Sequence, residues 1–184
     1  MSMYIKPMTF SQDNNLANKV TKALLIIYLV ALCWILLFKL GVRFSYMENR
    51  SVNLIPFRDF FINGKIDVAE TILNVVIFIP LGIYAGVLFK RWSFGKKVFF
   101  FFLISLVFEA IEFIFKIGAF DVTDIVTNTI GGIIGLMMFK AIEKLVNNSV
   151  KAQKFINIIA AIATVLMILL LVLLKMNMLP VRYQ

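Results

Sequence analysis

The chain has 184 residues, of which 61% are hydrophobic and only 16% are charged, and its mean hydropathy is +0.94. A water-soluble domain of this length cannot bury so large an apolar fraction, so the composition predicts an integral membrane protein. The formal net charge of +9 does not indicate nucleic-acid binding, because the basic residues are spread between apolar segments, as expected for topology signals and for contacts to anionic lipid.

Five apolar segments have, or nearly have, the roughly 20 residues needed to cross a hydrocarbon core of about 30 Å. They run over 23–40, 72–89, 98–115, 125–139 and 155–174. We expect the first to be retained rather than cleaved as a signal peptide, because it exceeds the usual signal core of about 7–15 residues and no small-residue cleavage site follows closely. The predicted fold is therefore an all-α bundle of about five transmembrane helices.

The segment 51–70, before the second helix, is amphipathic and aromatic but too short in apolar residues to span. It could lie in the interface as a short helix, or it could be re-entrant and bring Asn53 and Arg58 toward Glu109. A plain interfacial linker fits the sequence equally well.

The distribution of lysine and arginine predicts the orientation of the bundle. The N-terminal tail carries Lys6, Lys19 and Lys22, and the predicted loops at 90–97 and 140–154 carry four basic residues each. These three regions are predicted to lie in the cytoplasm, because the opposite side carries fewer basic residues. The N-terminus is then cytoplasmic and the C-terminus extracellular.

With this orientation, the unusual polar residues all fall at the outer face. They are Asn53, Arg58, Glu70, Asn74, Glu109, Glu112, Asp121, Asp124 and Asn128, and we predict them as a ligand-binding site. Ser105, Glu109 and Glu112 share one stripe of the third helix. No equivalent cluster is expected at the inner face, where the charges are simple lysine and arginine flanks.

The acidic residues have structural explanations as well as functional ones. Asp121, Thr123 or Asp124 could cap the fourth helix, which is worth about 0.5–2 kcal/mol. Glu109 lies within a span, where a charge costs at least ~2.5–3.5 kcal/mol, so it needs a partner such as Arg58 or Lys116, or it must be protonated. Both an internal network and a site for a ligand or for chemistry remain open.

Small residues in the second and fourth helices predict close helix packing. Gly131 and Gly135 form a GxxxG spacing beside Gly132, which indicates that the fourth helix lies in the middle of the bundle. Pro80 and Gly82 predict a kink or a thinned packing point in the second helix.

Three functions are compatible with these residues. The first is a non-catalytic protein whose outer pocket binds an amphiphile. The second is an enzyme acting on a lipid headgroup or polyprenyl phosphate, with Glu109, Glu112 or Asp124 as base or metal ligand and Arg58 as phosphate clamp. The third is a transporter or scaffold subunit, for which a homo-dimer could supply a second half.

The chain offers little else for catalysis. It has no histidine, and its one cysteine, Cys33, lies in an apolar run, so no disulfide forms within the chain. We predict no metal site and no cofactor, with membrane lipids as partners.

Four motifs occur in an order and spacing that resemble the VanZ-like family over roughly residues 20–145. They are NLIPF at 53–57, NxxxFIPLG at 74–82, ExxE at 109–112 and FDVTDIVTNTIGG at 120–132. The family commonly has glutamine at the position of Glu112, and often has an arginine a few residues before FD, where this chain has Lys116.

The resemblance implies a multi-pass protein of the bacterial cell membrane, in a family with a member associated with reduced susceptibility to the lipoglycopeptide teicoplanin. It implies a VanZ-like membrane domain of four helices at 23–145. Residues 1–22 are then a cytoplasmic tail, and residues 146–184 add a basic loop and a fifth transmembrane helix.

Overall fold

The structure is a computed structural model that describes residues 9–38, 52–57, 68–116 and 118–175. Within these ranges it has five helices and two strands of two residues each. The helices are α1 Thr9–Phe38, α2 Val68–Leu88, α3 Phe94–Phe115, α4 Val122–Val146 and α5 Ser149–Lys175, and the strands are β1 Val52–Asn53 and β2 Phe120–Asp121. All five helices are long and apolar enough to cross a membrane, which confirms the predicted all-α, multi-pass fold.

The two ends of the bundle differ in charge. One end, here called the basic end, brings together the start of α1, the α2–α3 turn and the α4–α5 turn, through hydrogen bonds such as that from Lys90 to Ser149 and from Gln153 to Asn18. Its described basic residues are Lys19, Lys22, Lys90, Arg91, Lys96, Lys97, Lys140, Lys144, Lys151 and Lys154, whereas its described acids are Asp13 and Glu143. The opposite end, the acidic end, contains both strands and the starts of α2 and α4.

The helices extend beyond the apolar segments that predict them. α1 begins at Thr9, and the loops predicted at 90–97 and 140–154 are wrong in length, because α3 already starts at Phe94 and only two residues separate α4 from α5. Lysine is a good helix former, and its long side chain can carry its charge away from the apolar part of the helix. Basic residues therefore do not mark the ends of these helices.

The turn between α4 and α5 is built from two asparagines. Asn147 adopts the left-handed conformation (φ 49°, ψ 23°) that commonly ends a helix. The side-chain oxygen of Asn148 accepts hydrogen bonds from the backbone N–H groups of Val150, at 2.9 Å, and Lys151, at 3.0 Å. This cap starts α5 directly after α4 ends.

α4 lies in the middle of the bundle, as its glycines predict. Gly131 and Gly135 face α2 so closely that a Cβ on either would collide with the carbonyl oxygen of Val75 or Ile79. Gly82 makes the reciprocal approach from α2 onto the backbone of α4. The two helices therefore meet backbone to backbone, which confirms the predicted packing role of these three glycines.

α3 packs on another side of α4. The ring of fully buried Phe101 covers Gly132, where a Cβ would lie 2.6 Å from the ring carbon Cδ2. Phe78, Leu81 and Leu136 complete the apolar core around this contact. A residue larger than glycine at position 132 would push α3 away from α4.

Pro80 lies inside α2, where it lacks the N–H that would bond to the preceding turn. The hydroxyl of Tyr28 on α1 donates a hydrogen bond of 2.6 Å to the carbonyl of Ile77, three residues before Pro80. A neighbouring helix thus supplies a donor near the proline, as membrane helices with an internal proline require.

α5 packs against α1 through a polar contact that the sequence analysis did not predict. Thr21 donates to Asn157 at 2.9 Å, Gln153 donates to Thr21 at 2.8 Å and to Asn18 at 2.9 Å, and Asn157 donates to the carbonyl of Ala17 at 3.1 Å. Thr21, Gln153 and Asn157 are buried. The expectation that the end with the basic loops has no polar cluster is therefore wrong at the α1–α5 contact, because neutral amides can be buried once they bond to each other.

Candidate functional site

The side chains described at the acidic end include five carboxylates and one cation, Lys116. The carboxylates belong to Glu70, Glu109, Glu112, Asp121 and Asp124. Glu109 is 3% exposed and Glu112 is 6% exposed, although both belong to α3, which is apolar enough to span a membrane. Burying these groups requires hydrogen bonds or a proton, so the first question is which groups they contact.

A short parallel strand pair attaches the segment before α2 to the start of α4. β1 pairs with β2 so that Val52 lies opposite Phe120 and Asn53 lies opposite Asp121. The amide nitrogen of Asn53 also donates to a carboxylate oxygen of Asp121 at 3.0 Å. Residues 52–57 of the segment predicted to be interfacial or re-entrant form this strand and a following turn, residues 68–70 begin α2, and residues 58–67 lie outside the described residues.

The turn after β1 makes a second attachment to α4. Phe57 has a positive φ of 56°, and its backbone N–H donates to the hydroxyl of Thr123 at 3.0 Å. The sequence analysis considered Thr123 as a helix cap and did not include it among the site residues. Arg58, the predicted phosphate clamp, follows directly but lies outside the described residues.

Asp121 caps α4, as predicted. Its side chain accepts a hydrogen bond of 2.7 Å from the backbone N–H of Thr123, and its own backbone is extended. The backbone N–H of Asp121 donates to Glu109 at 2.9 Å. The buried Glu109 carboxylate thus holds the N-terminus of α4 against α3, which supports the network interpretation of this residue.

Asn74 and Asp124 join α2 to α4. The amide nitrogen of Asn74, which is 6% exposed, donates to the Asp124 carboxylate at 2.7 Å. Asp124 lies in the first turn of α4, where the helix dipole also stabilises a negative charge. The Asn74–Asp124 hydrogen bond thus joins α2 to α4 at the acidic end, and the glycine contacts join the same two helices nearer the middle of the bundle.

Ser105 and Asn128, both fully buried, join α3 to α4. The amide nitrogen of Asn128 donates to the Ser105 hydroxyl at 3.0 Å, one helical turn further from the acidic end than Glu109 and Asp124. Asn128 was predicted to face protein, and its bond across helices confirms this.

Two buried amide oxygens in this region have no hydrogen-bond partner among the described residues. They are Oδ1 of Asn53 and Oδ1 of Asn128. A buried acceptor without a donor costs roughly 1–3 kcal/mol, so such atoms in a native protein call for an explanation. A ligand that donates hydrogen bonds to these two oxygens is one explanation.

Glu112 is covered by the connection between α3 and β2. The backbone at Gly118 lies directly against the Glu112 carboxylate, so a larger residue at position 118 would displace the end of the Glu112 side chain. Lys116 ends α3 in the left-handed conformation, and its N–H donates to the carbonyls of Glu112 and Phe113. Gly118 precedes the FD motif closely, and the sequence analysis gave it no role.

The structure thus brings most of the predicted site residues together in one cluster. We call Asn53, Asn74, Glu109, Glu112, Asp121, Asp124 and Asn128, together with Ser105 and Thr123, the acidic cluster. Glu70 is exposed in the first turn of α2 rather than buried with the others.

The acidic cluster is rich in hydrogen-bond acceptors. Ionised carboxylates only accept, and the two unmatched amide oxygens accept as well. Such a site complements ammonium, amide N–H or hydroxyl groups and disfavours phosphate. Within the described ranges, no three carboxylates or thiols are grouped so that they could hold a metal ion.

The chain is similar to a known family and to a known protein along most of its length. The profile of the family described as VanZ/LLP1 matches residues 25–143, more than half of the chain. Protein VanZ of Enterococcus faecium is 41% identical over 156 residues, which cover 83% of this chain and 91% of that protein. No solved structure matches. The chain therefore belongs to the VanZ/LLP1 family.

Proposed function

We propose that this protein contributes to resistance against teicoplanin-type glycopeptides, and that it does so by binding the lipoglycopeptide or a lipid-linked wall precursor at the cell surface. Membership of the VanZ/LLP1 family supports the antibiotic part of the proposal. The acidic cluster supports the binding part, because a spanning helix would not bury two glutamates without a partner or a role. In this proposal the acidic end faces outward in the bacterial cell membrane.

The observation that carries the proposal is the pair of unmatched amide oxygens beside the buried carboxylates. The ligand group that enters the cluster is then a hydrogen-bond donor or a cation, which the amide and amine groups of a peptide provide. A phosphate group fits poorly beside this many carboxylates. The peptide part of the ligand, and not a pyrophosphate, would therefore contact Glu109 and Asn128.

The strand pair suggests how binding could involve the first loop. Asn53 carries one of the unmatched oxygens. It lies opposite Asp121 in the strand pair, and its side chain donates a hydrogen bond to the Asp121 carboxylate. Arg58 lies five residues further along the same loop and remains a predicted ligand contact. A ligand that bonds to Asn53 would thus also contact the segment that leads to Arg58.

The proposal is tested by glycopeptide susceptibility in a host that carries the intact chain or the Glu109→Gln variant. Glutamine keeps an oxygen that can accept the N–H of Asp121, so the variant removes the ionisable carboxyl group with little change in packing. Glu143→Gln, which makes the same chemical change at the basic end, is the matched control. Membrane abundance is measured for every strain by blotting.

We expect the intact chain and Glu143→Gln to raise the teicoplanin concentration needed for inhibition, and Glu109→Gln to lose this effect at equal abundance. If Glu109→Gln protects as well as the intact chain, the acidic cluster has a structural role only. If the intact chain has no effect, the resistance function itself is wrong for this protein.

A further inference from the structure

A second polar cavity lies at the basic end, opposite the acidic cluster. Its volume is about 710 Å³, and α1, the α2–α3 turn and the start of α5 enclose it. Polar and aromatic side chains that line it include Asn18, Lys22, Lys90, Arg91, Trp92 and Gln153. We call this cavity the basic vestibule.

The charge of the basic vestibule has one sign. Lys22, Lys90 and Arg91 line it, and none of its described lining residues is acidic. Lys90 is held in place by its hydrogen bond to Ser149. Three cations around one cavity attract an anion, and an arginine and lysines together suit the oxygens of a phosphate group.

The walls of the basic vestibule suit the boundary between water and membrane. Phe89 and Trp92 stack with ring centroids 4.4 Å apart, and Trp92 is 41% exposed. Tryptophan is enriched at the level of lipid headgroups. Gln153, which is 3% exposed, lines the other side and is held by its bonds to Asn18 and Thr21.

An apolar groove begins one helical turn further into the bundle. It has a volume of about 350 Å³ and is lined by residues of α1, α2, α4 and α5, almost all of them apolar. Ile83 and Ile156 line the groove, and they lie one turn beyond Val87 and Gln153, which line the basic vestibule. Val87, Ile83 and Ile156 also pack in one apolar cluster, so the groove adjoins the basic vestibule along α2 and α5.

We propose that the basic vestibule and the apolar groove together bind one anionic phospholipid. The headgroup phosphate lies among Lys22, Lys90 and Arg91, and an acyl chain follows the groove past Ile156 toward Ala160. Basic pockets between transmembrane helices are known to hold anionic headgroups. The site is separate from the acidic cluster, so it holds or fails independently of the antibiotic function.

The test uses the full-length protein, purified in detergent and loaded with phosphatidylglycerol or phosphatidylcholine of the same acyl chains. Native mass spectrometry counts the lipids that stay bound. Lys22→Gln combined with Arg91→Gln removes two charges from the vestibule. Lys144→Gln combined with Lys151→Gln removes two exposed charges at the same end that do not line it.

We expect the intact protein and the control to retain phosphatidylglycerol in preference to phosphatidylcholine, and the vestibule variant to lose roughly tenfold or more of that retention. Ala160→Phe, which fills the groove, is expected to lower the retention of both lipids. Each variant is first checked for an unchanged elution volume and thermal transition.

Either of two results would overturn the proposal. Equal loss in the vestibule and control variants would mean that the lipid responds only to the total charge of the basic end. Displacement of phosphatidylglycerol by inorganic phosphate, with no effect of Ala160→Phe, would mean a site for free anions and not for a lipid.

Discussion

Gly82 and Gly95 offer a matched pair of glycine-to-alanine substitutions with opposite expected effects on stability. A Cβ at Gly82 would collide with the carbonyl oxygen of Gly132 and would lie 2.8 Å from the backbone nitrogen of Leu136. A Cβ at Gly95, in the first turn of α3, has nothing within 4 Å. The chemical change is the same, so the difference between the variants isolates the contact between α2 and α4.

The loss of stability in Gly82→Ala depends on which atoms must move to make room for the methyl group. The atoms that a methyl group at position 82 would meet belong to the backbone of α4, so no side chain can rotate away, and the helices must separate by about 1 Å or more. A gap of that size forfeits about half of each dispersion contact along the seam. Overpacking of this kind costs about 1–3 kcal/mol, against a gain in helix propensity of about 1 kcal/mol.

We therefore expect Gly82→Ala to lower the free energy of unfolding by up to about 2 kcal/mol, and Gly95→Ala to leave it unchanged or to raise it by up to about 1 kcal/mol. The assay is unfolding by sodium dodecyl sulfate in mixed detergent micelles, followed by circular dichroism. If both variants unfold at the same fraction of sodium dodecyl sulfate, the glycine seam does not hold α2 against α4, and the reasoning is refuted.

Three further predictions concern the rest of the bundle. Tyr28→Phe removes one hydrogen bond to α2 and should lower the free energy of unfolding by about 1 kcal/mol in the same assay; an unchanged value would mean that the bond does not stabilise the proline-containing helix. Thr21→Val and Asn157→Leu, made singly and together, should show a coupling energy of about 0.5–1.7 kcal/mol, whereas additive effects would refute a direct contact between α1 and α5. In a cysteine-free background, a membrane-impermeant maleimide should label Ile55→Cys in intact cells and should label Gly95→Cys only after lysis; the reverse pattern would place the acidic end inside.

Much of the acidic cluster could be predicted from local patterns. A spacing of three positions, from Glu109 to Glu112, or of four, from Gly131 to Gly135, places both residues on one face of a helix. Asp121 before an apolar run has the form of a helix cap, and the structure shows that it is one. Such arguments need no knowledge of the tertiary fold.

The partners of these residues could not be predicted in the same way. Asn53 and Asp121 are 68 residues apart and meet only because a two-residue strand pairs with the start of α4. Thr21 and Asn157 are separated by 136 residues, and each looks like an isolated polar residue in its own helix. Helical periodicity predicts a face but not the helix that packs against it, which is why the buried α1–α5 network was missed.

The loops predicted at 90–97 and 140–154 are too long because local charge was taken to mark the ends of the helices. Lysines were predicted to mark the space between helices, whereas Lys96 and Lys144 lie within α3 and α4. A long aliphatic side chain lets the ammonium group reach water from within the first or last helical turn. Lysines therefore do not locate the ends of these helices.

The measurement that most directly tests the central claim, a functional acidic cluster, is the exchange of Asn74 and Asp124. The double variant Asn74→Asp, Asp124→Asn keeps an amide and a carboxylate opposite each other, so the 2.7 Å hydrogen bond between α2 and α4 can form again. It moves the negative charge from the first turn of α4 to α2, at a cost of about 0.3–1 kcal/mol from the helix dipole.

Both single variants and the exchange are compared for unfolding in detergent and for teicoplanin susceptibility of the host. If the cluster is functional, the exchange recovers most of the stability that the single variants lose, but the host stays as susceptible as one without the protein. If the exchange restores both stability and protection, the carboxylate of Asp124 is only a structural partner of Asn74, and the account of the acidic cluster as a binding site is contradicted.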